Sequence, residues 1–545
     1  MTPGPTFVLT RRDAATVVVT EAGVGESALA VTELASFVAD QEPAGPRWVW
    51  DDTARWYPAL LAAGVRVARC VDLRLQHAVL RRSGWVDQAT MTGDDVAGWD
   101  ALPPVVERSD ALFDVHDHLA SLDIVAEHDR QLHAVATSRA PAALQLLLAA
   151  ESAAGLTAAE MTHVGLPWRA EVHRRILTEQ LGARPRPGAR PPRLEPLVQN
   201  IRAALTAPTL NPDSPADLLA ALQRAGIAVT DTRSWTLQRV DHPGIADLLE
   251  YKRLMRLHAA NGWHWLDTWV RDGRYRTTYL PGGVVTGRWA ATGGGALSLP
   301  APLRPCVVAD DGWQLVVADV AQLEPRVLAA MSGDREMATA ARGADLYEGL
   351  VATGAVETRA EAKLGMLGAM YGGTTGDSGR VVERLRRRFP RAFDTVESAA
   401  RAGERGDVVH SRLGRGSPVP TAAWVGRLPA DDAQNASDQR EARSWGRFTR
   451  NFVVQGTGAE WALCWLASLR RALWELGPAG PLERRPHLAF FLHDEVVVHT
   501  PEHLAEPVAA AVEAAAVEAT RMVFGTFPID FPLDVAVVRA YDEAG

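Results

Sequence analysis

The chain is poor in cysteine, poorer still in lysine, and has no long apolar run. Its three cysteines, Cys70, Cys306 and Cys464, show no CxxC spacing. That excludes a disulfide framework and a conventional zinc site, and it points to a reducing compartment. The N-terminus Met1-Thr2-Pro3-Gly4-Pro5 has no basic segment ahead of an apolar core. The longest aliphatic stretch, Leu144 to Ala150, is broken by Glu151, so neither an export signal nor a membrane span is expected. The net charge of −9 argues against a protein that coats nucleic acid everywhere, although a local basic face would suffice for binding. Lysine is the sharpest shortage. Only Lys252 and Lys363 occur against a background of arginine, so either is a candidate for chemistry that arginine cannot perform.

With 545 residues, 47% hydrophobic and 23% charged, the chain is an ordinary globular protein of two to four domains. Residues 1 to about 135 alternate short β-like runs (Phe7-Val8-Leu9, Thr16 to Val19, Arg47 to Trp50) with helical stretches such as Leu73 to Leu80, which reads as a small α/β domain. It contains Asp51, Asp52, Asp72 and Asp110, but no close Asp-x-Glu pair follows an early strand. Asp114-Val115-His116-Asp117-His118 is ligand-like in composition and reads as a solvated face. From 136 to 275 the apolar spacing is helical, interrupted by the Pro/Arg loop 183–193.

The centre of the chain is Leu315 to Arg326. An apolar, β-branched run ends in Asp319, and a helical pattern follows through Val327, Leu328 and Met331. A carboxylate at the tip of a buried strand is either a helix cap or a ligand, and both readings stay open on this stretch alone. Upstream, Gly293-Gly294-Gly295 expose backbone amides and permit close approach of another backbone, with Thr286-Gly287-Arg288 beside them. Downstream, Thr358 caps a helix displaying Arg359, Lys363, Leu367 and Tyr371 at steps of four, with Gly365 and Gly368 inside it. Such a stripe reads as an anion-binding face. Residues 380–450 are arginine-rich, suggesting a polyanion, and include the donor face Arg447, Asn451 and Gln455. Finally, two apolar runs flank His493-Asp494-Glu495 as a hairpin would. Carboxylates from two strands can hold two divalent cations about 3.5–4 Å apart for in-line phosphoryl transfer. Magnesium suits such an oxygen-rich site.

These segments resemble, in order across about residues 150 to 545, the family A DNA polymerases of the bacterial polymerase I type. Asp319-Val320-Ala321-Gln322-Leu323-Glu324-Pro325-Arg326 is similar to motif A, Arg359, Lys363 and Tyr371-Gly372 to motif B, and His493-Asp494-Glu495 to motif C. The resemblance implies an α/β and α+β multidomain protein. A small RNase H-like, exonuclease-type domain (1–135) would precede a right-hand polymerase with thumb and linking helices (136–275), palm (276–328 and 444–545) and helical fingers (329–443).

It implies that Asp319 and Asp494, with the Val320 carbonyl, bind two Mg2+ ions (Mn2+ as the alternative), with Glu495 beside them. Arg359 and Lys363 would hold the dNTP phosphates, with Gln322 and Leu367 also at the nucleotide and Tyr371 near the templating base. Glu324 would be the steric gate against a ribose 2′-OH. Arg288, Arg447, Asn451 and Gln455 would contact the primer-template minor groove, and His493 the primer terminus. Leu367, Val320-Ala321 and Tyr347 depart from the family pattern, where Phe or Tyr, Tyr-Ser and His are usual.

The first domain lacks the exonuclease acids: Trp56 stands at the second-motif aspartate, and Val135 to Leu144 has no Tyr-x-x-x-Asp. The expectation is therefore a template-directed DNA polymerase acting in replication or repair, without proofreading. No 5′-nuclease segment precedes the first domain, so a separate flap nuclease is an expected partner. The protein is expected to be a monomer, cytoplasmic, bacterial and nucleoid-associated, with no membrane partner. The alternatives are a catalytically retired primer-template binding protein and a single-subunit RNA polymerase relative, the latter disfavoured by Glu324.

Overall fold

The computed structural model describes residues 4–92, 96–100, 122–295, 299–373, 376–420 and 436–544, without the side chains of 376, 377 and 436–438. The first unit is a five-stranded sheet of β1 (Thr6–Arg11), β2 (Thr16–Glu21), β3 (Gly25–Ala30), β4 (Arg47–Trp50) and β5 (Cys70–Asp72), in the order β3-β2-β1-β4-β5. β1 to β3 form an antiparallel meander, and β4 and β5 add in parallel. This is the RNase H-like arrangement expected of the first domain. The apolar centres of β1 and β2 are buried, as the runs predicted. The unit also contains helix Leu34–Gln41, whose Leu34 and Val38 are buried, and helices α1 (Thr53–Ala62), α2 (Leu73–Leu80) and α3 (Ile124–Ala136). Asp52 and Asp72 accept from the Ala54 and Leu75 amides and cap α1 and α2.

Among the described residues one helix, α4 (Pro141–Val164), is long and apolar enough to cross a membrane by length and composition. It instead lies in the interior, with Glu151 and Glu160 each buried against an arginine. Gly155 lets Thr53 and Leu75 of the first unit approach within van der Waals distance. Glu160 accepts from the Tyr57 hydroxyl (2.6 Å) and from Arg470 Nε (2.9 Å), and Arg66 lies 3.2 Å away. Burial pushes the Glu160 carboxyl up, but Arg470 and Arg66 outweigh it and hold its pKa below the ordinary value. Removing this acceptor strands two buried cations. Glu160→Ala is therefore expected to cost about 3 kcal/mol or more of stability, read as a shifted urea midpoint.

A helical segment follows, with its intervening Pro/Arg loop closed by ion pairs: Arg184 to Asp267 (2.7 Å) and Arg190 to Glu195 (3.3 Å) and Asp213 (3.4 Å). The three glycines at 293–295 all have positive φ. A Cβ on Gly293 would overlap the Trp269 ring, and one on Gly294 would meet the Tyr275 hydroxyl at 2.8 Å. Aromatic side chains, not another backbone, require Gly293 and Gly294.

The second sheet contains the site. β6 (Trp313–Val320) leads through α5 (Leu323–Ser332) to α6 (Arg359–Tyr371), α7 (Gly376–Arg388) and α8 (Pro390–Glu404). The 41-residue α9 (Ala436–Leu476) then precedes β7 (His487–Leu492), β8 (Glu495–Pro501), α10 (Ala505–Phe524) and β9 (Leu533–Val538). The order is β7-β8-β6-β9, antiparallel throughout. β6 is thus paired on both edges, and Leu315, Val316 and Ala318 are wholly buried. Gly365 and Gly368 admit α7: Cβ atoms there would stand 2.7 Å from Val381 and Val382. Close helix packing explains both glycines on α6.

Candidate active site

The strand register sets the charge arrangement. Asp319 at the end of β6 lies opposite Glu495 on β8 and opposite Asp534 on β9. Residues directly opposite in antiparallel strands share a face, so three carboxylates stand in a row. A fourth, Asp494, occupies the two-residue turn between β7 and β8. His493 there takes a left-handed conformation (φ 58°), and the Val320 amide donates to the Asp494 carbonyl at 3.0 Å. That bond locks the turn to the tip of β6. Burial, then Asp494, Glu495 and Asp534, push the Asp319 carboxyl up to about 7. Burial also raises Asp494, although Arg288 opposes it. Glu495 accepts from the Tyr541 hydroxyl at 2.7 Å, which fixes its direction.

Asp319 is not the cap of α5. That position is Gln322, left-handed at φ 49°, whose Oε1 accepts from the Leu346 amide (2.9 Å) and Arg326 Nη2 (3.5 Å). Arg326 is wholly buried and also bonds the Ala321, Gly343, Ala344 and Asp530 carbonyls, tying β6 to the segments around it. Among the described residues no three His, Cys, Asp or Glu side chains are arranged to hold one ion by themselves. An all-oxygen set with few protein ligands still fits magnesium, which keeps waters and takes substrate phosphates.

A second cluster adjoins the first. Glu324, in the first turn of α5, pairs with Arg288 and accepts from the Tyr371 hydroxyl at 3.0 Å, and Gln455 Nε2 donates to that hydroxyl at 3.4 Å. Four residues singled out in sequence, from four separate segments, thus meet around one carboxylate. Beside them is a cavity of about 180 Å³ bordered by Gln322, Glu324, Tyr347, Leu367, His493 and Asp494.

The α6 stripe is exposed, with Leu367 at 38% and Tyr371 at 43%, so it is no buried core face. Arg359 pairs with Asp345 (2.7 Å) and covers the Tyr347 ring at 5.5 Å. Lys363 is exposed and has no hydrogen bond or ion pair among the described residues. On α9, the Arg447 stem rests on Gly372, while Asn451 Oδ1 is buried without a partner. Neither joins the Glu324 cluster.

Most of the arginines from 380 to 420 are paired with acids: Arg384 with Glu361, Arg386 and Arg387 sharing Glu383, Arg388 with Glu336, Arg401 with Glu397, Arg405 with Asp407 and Arg415 with Glu151. That segment is less cationic than its composition suggests. In the first unit, β1 bears no acid. Asp51 accepts from the Trp56 indole (2.5 Å), Asp52 from Arg74 (2.6 Å), and Asp72 from two helix-start amides. Asp110 and the cluster Asp114 to His118 lie outside the described residues.

Sequence reasoning missed Asp534, Tyr541, Asp345 and Arg326. Asp534 had a readable signal: Leu533-Asp534-Val535 interrupts an apolar terminal strand with one acid, as Asp319 interrupts β6.

A small RNase H-like domain joined to a larger unit, with acidic strand ends on an antiparallel sheet and a helix, α6, bordering the same cavity as Asp494, defines the right-hand polymerase class of fold. The chain belongs to DNA polymerase family A, whose sequence profile matches residues 192–542. It is 28% identical over 322 residues to DNA polymerase I of Chloroflexus aurantiacus, covering 53% of this chain and 32% of the relative. It is 28% identical to the DNA polymerase of Mycobacterium phage L5, covering 55% and 49%. The matched region thus spans a third to a half of the length of these relatives. The POL domain of Pol1 from M. smegmatis, solved in complex with DNA primer-template and dNTP, shares the fold with a TM-score of 0.72 at 20% identity, covering 99% of this chain and 96% of that one.

Proposed function

We propose that the protein is a template-directed DNA polymerase that adds dNTPs to a primer 3′ end by two-metal nucleotidyl transfer. The observation that carries this is the junction of two clusters. The Val320–Asp494 backbone bond holds the β7–β8 turn against the end of β6 that carries Asp319, and Asp494 borders the same cavity as Glu324 and Leu367 of α6. Two Mg2+ ions, when bound, would activate the primer 3′-OH and neutralise the leaving pyrophosphate. Asp319 and Asp494 would hold them, with the Val320 carbonyl as a backbone ligand and Glu495, oriented by Tyr541, alongside. Arg359 and Lys363 would take the triphosphate, with Gln322, Leu367 and Tyr371 around the nucleoside. Arg288, Arg447, Asn451, Gln455 and His493 would hold primer-template DNA. The relevant assay is primer extension with Mg2+ and four dNTPs; a folded wild-type protein that extends no primer would refute the proposal.

Glu324 would select the sugar. Tyr371 and Arg288 hold its carboxylate against the cavity, where a ribose 2′-OH would lose room. Glu324→Ala is expected to raise rNTP relative to dNTP incorporation by about 100-fold, on the order of the 1–3 kcal/mol that one steric group contributes to discrimination.

The first domain would serve as structure without 3′-5′ exonuclease activity, since Asp51, Asp52 and Asp72 cap helices or bond neighbouring side chains. Metal-dependent primer degradation that persisted in Asp494→Ala but was lost on mutating Asp51, Asp52 or Asp72 would contradict this.

A further inference from the structure

The loop that carries Arg288 rests on a buried ion pair. Glu151 on α4 and Arg415 form a salt bridge with side chains 1% and 9% exposed. A Cβ on Gly287 (φ 87°) would collide with the Arg415 guanidinium, so the backbone next to Arg288 lies directly on it. At the other end of the same turn, a Cβ on Gly282 (φ 62°) would stand 3.5 Å from Glu151 Oε2.

Both members of the pair are braced by the first unit. Ser152, adjacent to Glu151, accepts from the Asp72 amide and from Gln76 Nε2, each at 3.1 Å. On the Arg415 side, the Ser83 hydroxyl donates to the Gly414 carbonyl (2.7 Å) and the Gly84 amide donates to His410 Nε2 (2.9 Å). Trp85 stacks on that imidazole at 5.6 Å between centroids.

Stability does not explain such a pair. A buried salt bridge roughly breaks even against apolar residues of similar volume, and its better-attested use is to fix one arrangement among several. Here Arg415 Nε and the Thr286 hydroxyl are buried with no hydrogen-bond partner, a further desolvation cost.

We propose that Glu151 and Arg415 are positioning residues that set Arg288 for primer-template DNA, and that the first unit acts as their brace. This rests on the reading of Arg288 as a DNA contact. Glu151→Gln or Arg415→Met frees the turn at residues 282–287, so Arg288 must be ordered anew on each binding event.

The test is fluorescence anisotropy of a labelled primer-template with the full chain, alongside steady-state extension and the melting temperature of each variant. Glu151→Gln and Arg415→Met are expected to weaken DNA binding by about tenfold, the size of one poorly placed charge-assisted hydrogen bond. The primer-template KM rises in parallel, kcat at saturating DNA is retained, and Arg415→Lys, which keeps the cation, recovers most of the loss. If Glu151→Gln does not fold, Glu151→Asp replaces it under the same criterion. A lowered melting temperature with DNA affinity within twofold of wild type would show a merely structural pair and overturn the proposal. A wild type that binds primer-template without extending it refutes the polymerase reading and leaves this test intact. One that binds no primer-template overturns both.

Discussion

Asparagine in place of Asp319 or Asp494 is expected to reduce primer extension by at least about a thousandfold while leaving the fold intact, because in the proposed reaction several kcal/mol of transition-state charge stabilisation would pass through these carboxylates. The substitution is nearly isosteric, and the Val320 amide bond to the Asp494 carbonyl uses only backbone atoms, so the turn should survive in either variant. The same crowding makes a second, opposite prediction about stability. Asp319 titrates at about 7 in the folded chain, against an ordinary value near 3.8, because it is buried and faces Asp494, Glu495 and Asp534. A carboxyl whose folded pKa is raised holds its proton more tightly in the native state. Its contribution to stability is therefore fully present below pH about 4 and is lost as pH rises towards 7. Above that, the metal-free protein carries an uncompensated charge. Asp319→Asn removes it, so the variant should melt at a higher temperature than metal-free wild type at pH 8. The gap should shrink as pH falls to 5 and, for wild type, as Mg2+ is added. Identical melting curves for the two proteins at pH 8 would show that these carboxylates do not strain the sheet.

What sequence could supply depended on how local the cause was. β6, the His493-Asp494 turn and the Thr358 cap were readable because periodicity, an acid and a hydroxyl act within a few residues. The row Asp534-Asp319-Glu495 needed strand order, which no local pattern specifies. Asp319 could be taken for a cap because the residue that actually starts α5, Gln322, does so in a left-handed conformation with its side chain turned to Leu346 and Arg326. The Glu151–Arg415 pair joins residues 264 positions apart and leaves no mark on composition. Composition misled most around Arg384 to Arg388, where acids from α6 and elsewhere neutralise what reads as a cationic run.

In the proposed reaction Lys363 would carry the remaining chemistry. Along the exposed face of α6, Arg359 is already paired with Asp345, whereas Lys363 has no partner among the described residues and is one of only two lysines in the chain. Either cation could neutralise a triphosphate, but only an ammonium can also release a proton to the departing pyrophosphate, since a guanidinium is effectively never deprotonated. The two roles separate in kinetics. Lys363→Ala should lose both, with kcat falling by roughly 100-fold or more, as for removal of a general acid, and the dNTP KM rising as well. Lys363→Arg should restore the KM, because charge and reach persist, while kcat stays close to that of the alanine variant. If instead arginine restored kcat, the residue would be acting only as a charge. The lysine at this position would then be incidental to the chemistry, despite the strong bias to arginine everywhere else in the chain.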